Sequence, residues 1–164
     1  MTRKVLPNCL LLLSLVNLQS CTEKPRVETE NVAATARKTL DAPFHFLLRV
    51  PDYEAKQFTH ESDMFSTWGE LALAKKSGVQ PTRSAAREEL VRAAKEAGWT
   101  SAEKLPDVES PDLQRYGIAR EKEDLDFSKA AALKGQKPPT RYSCRIWISD
   151  NASMIVAAYR VDGE

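Results

Sequence analysis

"TRYSCRIWISDNASMIVAAYRV", residues 140–161, decides the fold. Two runs rich in β-branched and aromatic residues flank Asp150-Asn151, whose short side chains bond to neighbouring backbone and so favour a turn. Side chains alternate between the two faces of a strand. With an even loop of two or four residues, Tyr142, Cys144, Ile146 and Ile148 share one side with Ile155, Ala157, Tyr159 and Val161. Arg141, Ser143, Arg145 and Trp147 then share the other with Met154, Val156 and Ala158, and Arg160 lies two residues further on. A one-residue slip would reverse one strand, so the parity of the loop sets both faces. The isoleucine–tyrosine side reads as the core face of an antiparallel C-terminal hairpin.

Upstream of the hairpin, "TRSAAREELVRAAKEAG" (82–98) is the clearest helix. Ala86, Leu90, Ala93, Ala94 and Ala97 form one face, and Gly98 suits the position just past the helix end. A face so rich in alanine requires whatever packs on it to come close. "DMFSTWGELALAKKSG" (63–78) sets Phe65, Trp68, Leu71 and Ala72 at helical spacing with Asp63 as an N-cap, and predicts another helix. "DAPFHFLLRV" (41–50) alternates and predicts a strand with its phenylalanines inward, ended by Pro51. "WTSAEKL" (99–105) predicts a short strand, "PDVESPDLQRYG" (106–117) an irregular crossing, and "REKEDLDFSKAAALKG" (120–135) a further helix. The expected fold is α+β: a small antiparallel sheet with a C-terminal β-hairpin packed against two to three helices, in one domain over 41–164.

The other end of the chain has a different character. "MTRKVLPNCLLLLSLVNLQSC" places Arg3 and Lys4 ahead of an uncharged apolar run whose dense core is Cys9 to Val16. Crossing a bilayer core takes about 20 apolar residues, so this run suits an export signal better than a permanent span. Its last four residues, Leu18-Gln19-Ser20-Cys21, resemble the lipobox of bacterial lipoproteins. The resemblance covers residues 1–21 alone. It implies a signal peptide over 1–20, cleavage after Ser20, a diacylglyceryl thioether on Cys21, and further acylation (palmitate or a similar chain) of the new amine. It also implies a protein of the cell envelope, held to the lipid bilayer through Cys21. Thr22 is not the aspartate associated with inner-membrane retention, so in a host with two membranes the outer one, facing the periplasm, is expected. One short acyl chain holds a protein only reversibly, whereas two or three hold it for good. Residues 21–40 are then expected to be a polar tether, with a short helix around "NVAATARKTL" (31–40).

The whole chain of 164 residues carries 24 Lys+Arg and 23 Asp+Glu, and losing Arg3 and Lys4 with the leader turns a formal charge of +1 into −1. A nucleic-acid binder would need a basic face, so no nucleic-acid partner is expected. Of three cysteines, Cys9 goes with the leader and Cys21 becomes a thioether, leaving Cys144 without an intramolecular partner. In an oxidising compartment such a domain must rest on its hydrophobic core. Cys144 itself, on the isoleucine side of its strand, reads as a small buried hydrophobe.

The candidate chemistry is sparse. His45 and His60 are the only histidines, and with Asp63 in "HESD" they are the weak candidates for a metal; no HxxxH, HExxH or CxxC spacing supports them, and no cofactor is expected. There is no GxSxG turn to present a nucleophilic serine. No catalytic set assembles, and the chain reads as a non-enzyme. Trp147, with Arg145, Arg141 and Arg160 around it, is the candidate partner-binding surface, unless a helix covers that side too and makes Trp147 core. The functional expectation is a protein-binding module with an envelope protein as partner, of the assembly-factor, inhibitor or immunity-protein kind that lipoproteins of this size supply. The alternative is a small-ligand or metal-binding envelope lipoprotein.

Overall fold

The computed structural model describes residues 31–101, 111–119, 125–131 and 140–163; the leader, Cys21 and most of the expected tether lie outside them. Six strands, β1 (Tyr53–Ser62), β2 (Ser66–Lys75), β3 (Thr100–Ser101), β4 (Leu125–Ala131), β5 (Thr140–Ile148) and β6 (Met154–Asp162), form one sheet in the order β1-β2-β6-β5-β4-β3. Every neighbouring pair is antiparallel. Helices α1 (Val32–Thr39) and α2 (Arg83–Glu96) and a 3-10 helix (Ala42–Arg49) supply the helical layer, and a second 3-10 turn spans Leu113–Tyr116. The chain is α+β, with its C-terminal hairpin packed against helices.

The hairpin follows its sequence pattern. Ile148 pairs with Ile155 and Trp147 with Val156, so the turn has the even parity that keeps the two faces distinct. Tyr142, Cys144, Ile146, Ile148, Ile155, Ala157 and Tyr159 are all buried in the main core. Ala152 closes the turn at φ 53°, in the left-handed region where glycine is usual, and its carbonyl accepts a 2.7 Å hydrogen bond from the Tyr53 hydroxyl.

Helix α2 also matches. Thr82 Oγ1 accepts the Ala85 N–H at 3.1 Å as N-cap. At the other end Gly98 (φ 79°) donates to the Lys95 carbonyl and Trp99 to the Ala94 carbonyl, the paired bonds of a Schellman stop. Its Ala86, Leu90, Ala93 and Ala94 face is buried in the main core. The Trp99 indole donates to the Pro43 carbonyl at 2.8 Å, tying the helix end to the first 3-10 helix.

Three expectations are corrected. Residues 42–49 are 3-10 helix rather than strand: Phe44, Leu47 and Val50 recur every third residue and are all buried, the period of a 3-10 turn, with Pro43 near its start. Residues 66–75 are strand rather than helix. Leu71 and Leu73 face the main core while Ala72 faces the other side, and all three are buried, because β2 lies inside the sheet between β1 and β6. Asp63 does cap backbone N–H groups, but those of a hairpin turn: its Oδ1 accepts from Phe65 N at 2.8 Å and Ser66 N at 2.7 Å. Residues 125–131 are strand as well. Leu125 and Phe127 turn into the core opposite Ile146 and Cys144, and pairing along β5 overrides the helix preference of the alanine- and lysine-rich sequence.

The short helix expected in the tether exists as α1, but Val32, Ala36 and Leu40 are buried in the main core. The fold thus takes in residues from about 31 rather than from 41. Phe44 is the hub of that core, with Trp99, Tyr142 and Tyr159 rings at 5.1–5.9 Å.

Candidate functional site

The sheet has two unequal faces. One carries α1, α2 and the first 3-10 helix. On the other, the strand register sets Trp68 of β2 beside Arg160 of β6, Arg160 beside Ser143 of β5, Asp162 beside Arg141, and Ala158 beside Arg145. Arg141, Arg145 and Arg160 therefore share one face, as the alternation predicted, and Trp147 lies on it nearer the β5–β6 turn.

Trp147 itself is 0% exposed, packed with Ala72, Val156, Ala158, Leu113 and Ile118. This corrects its candidacy as a surface anchor: the indole is core. The cover is not one of the expected helices but a strap, Pro111–Ala119, that includes the short 3-10 turn. Gly117 (φ 69°) reverses the chain so that Ile118 N donates to the Leu113 carbonyl at 3.0 Å, and both apolar side chains come down on the indole. Arg115 and Tyr116 clasp the strap to β2. Arg115 Nη2 lies 2.6 Å from Glu70 Oε2, the Tyr116 hydroxyl donates to the same oxygen at 3.0 Å, and the guanidinium sits 4.7 Å from the Tyr116 ring centre. Burial, and then the Glu70 carboxylate, push the Tyr116 phenol up to about 12. The Trp147 indole N–H has no hydrogen-bond partner among the described residues. Beside the strap, Tyr116, Ile118 and the Ser149–Ser153 turn line an open cleft of about 280 Å³.

Beyond the strap the face becomes polar. Arg145 lies 3.7 Å from Asp126 and Arg160 donates to Asp162 at 2.7 Å, while Arg141 is exposed. Its aromatic residue is Trp68, 36% exposed, which sequence reasoning assigned to a helix. At the end of the same hairpin, Met64 (88%) and Phe65 (68%) are the other large apolar side chains exposed among the described residues. The signal that would have found all three was the Asp63–Ser66 turn between two runs, "YEAKQFTHES" and "STWGELALAK", that can both be read as strands.

The histidines are not brought together. His45 on the 3-10 helix bonds the Leu40 carbonyl at 2.9 Å. His60 on β1 sits 3.0 Å from the Tyr159 hydroxyl, which itself donates to the Thr59 carbonyl at 3.0 Å; Nδ1 of His60 therefore carries the proton of that contact. Asp63 is engaged in its turn, where the Phe65 and Ser66 N–H groups hold its carboxyl below the usual carboxylate range. No group of three or more His, Cys, Asp or Glu able to hold a metal occurs among the described residues. Cys144 is fully buried, and desolvation, with the Asp126 charge behind it, pushes its thiol far up and away from reactivity. No helix among the described residues is long and apolar enough to cross a membrane. No family model, curated protein or solved structure matches this chain.

Proposed function

We propose that the protein is a membrane-anchored envelope lipoprotein, acylated at Cys21, whose domain binds another envelope protein through the face bearing Trp68, Arg160 and Arg141. The class of role is that of an assembly factor, an inhibitor or an immunity-type protein, rather than catalysis. The observation that carries the binding surface is a tryptophan left partly in water on a rigid sheet, across from one arginine and near another. Tryptophan and arginine are the residues on which protein interfaces concentrate their energy, and polar neighbours such as Ser66 and Asp162 make a suitable rim. Sheet residues are also held in place before binding, which spares the ordering cost a loop would incur. The anchor is supported by the Arg3–Lys4 start, the short apolar run and Leu18-Gln19-Ser20-Cys21.

Two experiments test the two halves. Mass spectrometry of the mature N-terminal peptide should find acylated Cys21 as the first residue; a bare residue, or another start, would remove the anchor. A photo-crosslinking amino acid at position 68, in cells, should give a discrete adduct with one envelope protein. The adduct should be lost on Arg141→Glu, and a crosslinker at Lys95, exposed on α2, should give none. Equal adducts from both positions would count against the Trp68 face.

A further inference from the structure

The apex of the β1–β2 hairpin is the most apolar exposed point among the described residues, and it is built to stay exposed. Asp63 N donates to the Ser66 carbonyl at 2.9 Å, Asp63 Oδ1 accepts from Phe65 N and Ser66 N, and Gly163 N donates to the Phe65 carbonyl at 3.0 Å. With the turn backbone bonded in this way, Met64 and Phe65 cannot fold back under the sheet without breaking it. We infer that this apex docks into the lipid surface to which Cys21 ties the chain, an inference that rests on the lipoprotein reading above.

The length of chain between anchor and fold favours a bilayer as occupant. Nine residues lie between Cys21 and Asn31, and the ten Cα steps that join them reach at most about 35 Å. Any apolar point on a domain held that close meets the bilayer as an intramolecular event, so even a weak contact is populated. Burying a methionine and a phenylalanine side chain favours the docked state by a factor of about 100. The contact is apolar rather than electrostatic: "SDMFST", residues 62–67, contains no lysine or arginine, its one carboxylate is turned onto the turn's own N–H groups, and the neighbouring Asp162, across from Ser66, is bonded to Arg160. Docking by the apex stands β1 and β2 upright on the membrane. Trp68, three residues and about 10 Å further along the strand, then clears the surface with its face turned sideways, toward partners in the same envelope plane.

The test uses the full lipid-anchored protein in phosphatidylethanolamine–phosphatidylglycerol vesicles, with Met64→Cys carrying an environment-sensitive fluorophore. Labelling is selective because Cys144 is sealed in the core. The label at 64 should report an apolar surrounding and be quenched by spin-labelled lipid, unchanged by added salt, while a label at Lys95→Cys on α2 stays wet. Phe65→Ser should lower the docked-to-undocked ratio about tenfold. A label at 64 as wet as that at 95 overturns the inference while leaving the anchor standing. A label that dries only when an envelope protein is added overturns it in favour of a protein occupant. Protein that fails to float with vesicles removes the anchor and this inference together.

Discussion

Gly69→Ala should damage this fold more than the same change at Gly117 or Gly163. A Cβ at Gly69 would lie 2.1 Å from the Thr59 carbonyl oxygen, 2.5 Å from the Tyr159 hydroxyl and 2.8 Å from Tyr159 Cζ. The first is backbone of the paired strand β1, and the other two belong to a fully buried ring stacked on Phe58 and tilted against Phe44, so neither neighbour can simply turn aside. Relief requires β1 to move away from β2, or Tyr159 to leave its bonds to Thr59 and His60. Overpacking of this kind costs about 1–3 kcal/mol, and stranding a buried hydroxyl costs about 1–3 kcal/mol more. A total of about 3–5 kcal/mol is a large part of the stability of an ordinary domain. It corresponds to a fall in Tm of roughly 10–20 °C. The assay is urea and thermal unfolding followed by tryptophan emission, in a double-mutant cycle with Tyr159→Phe. Tyr159→Phe alone should cost about 1–2 kcal/mol. The pair should cost about 1 kcal/mol less than the sum of the singles, since removing the hydroxyl relieves one of the three clashes. Gly69→Ala within about 0.5 kcal/mol of wild type, the range of an ordinary surface change, would refute the close approach of Tyr159 and β1 to this glycine.

The remaining predictions concern the strap, the turn and the thiol. Glu70→Ala removes the acceptor shared by Arg115 and Tyr116; it should cost about 1 kcal/mol, raise acrylamide quenching of Trp147, and bring the Tyr116 phenol down from about 12 toward its ordinary value in an ultraviolet titration. Asp63 has a lowered folded-state pKa, so the order it gives the apex is present above its ordinary value of 3.8 and is lost as pH falls below that. Protection of the Phe65 and Ser66 amides, measured against the unstructured exchange rate at each pH, should fall in that acid range in wild type and stay constant in Asp63→Asn, which keeps an acceptor oxygen. Cys144 should resist a thiol reagent in the native protein and react at once in denaturant; rapid native labelling would contradict its burial.

What could be read from the sequence follows from how local each signal is. The C-terminal hairpin needed only alternation and the parity of one loop, and α2 needed only an alanine face and Gly98, all within one element. The assignments that failed are those settled by neighbours. Phe65, Trp68, Leu71 and Ala72 fit a helix as well as a strand, and only the presence of β1 and β6 on either side makes residues 66–75 a central strand. Lys129, Ala130 and Ala131 favour a helix until β5 offers an edge to pair with. The same logic governs the site. That Arg141, Arg145 and Arg160 share a face was legible because it depends on parity alone. That Trp147 is sealed was not, because its cover is an aperiodic strap held by a glutamate forty-five residues away. Trp68 was missed for the reason β2 was missed.

The unequal covering of the sheet separates stability from binding. On the helical face Phe44, Leu71, Leu90, Ile146 and Ile155 are fully buried, and each contributes about 1.5–3 kcal/mol by leaving water. On the opposite face apolar packing ends near Ala158, under the strap, and the positions beyond it are Arg160, Asp162, Arg141 and the half-open Trp68. Arg141 meets water in the free protein, so truncating it should leave unfolding nearly unchanged, within about 0.5 kcal/mol, whereas Trp68, 36% exposed, should cost about 1–2 kcal/mol on truncation. Arg141→Ala can therefore be read directly as a test of binding, and Trp68→Ala at a temperature where its unfolding curve shows it folded. A Trp68→Ala protein that unfolds several kcal/mol more easily would mean that the ring serves the fold, and the binding face would have to be sought elsewhere.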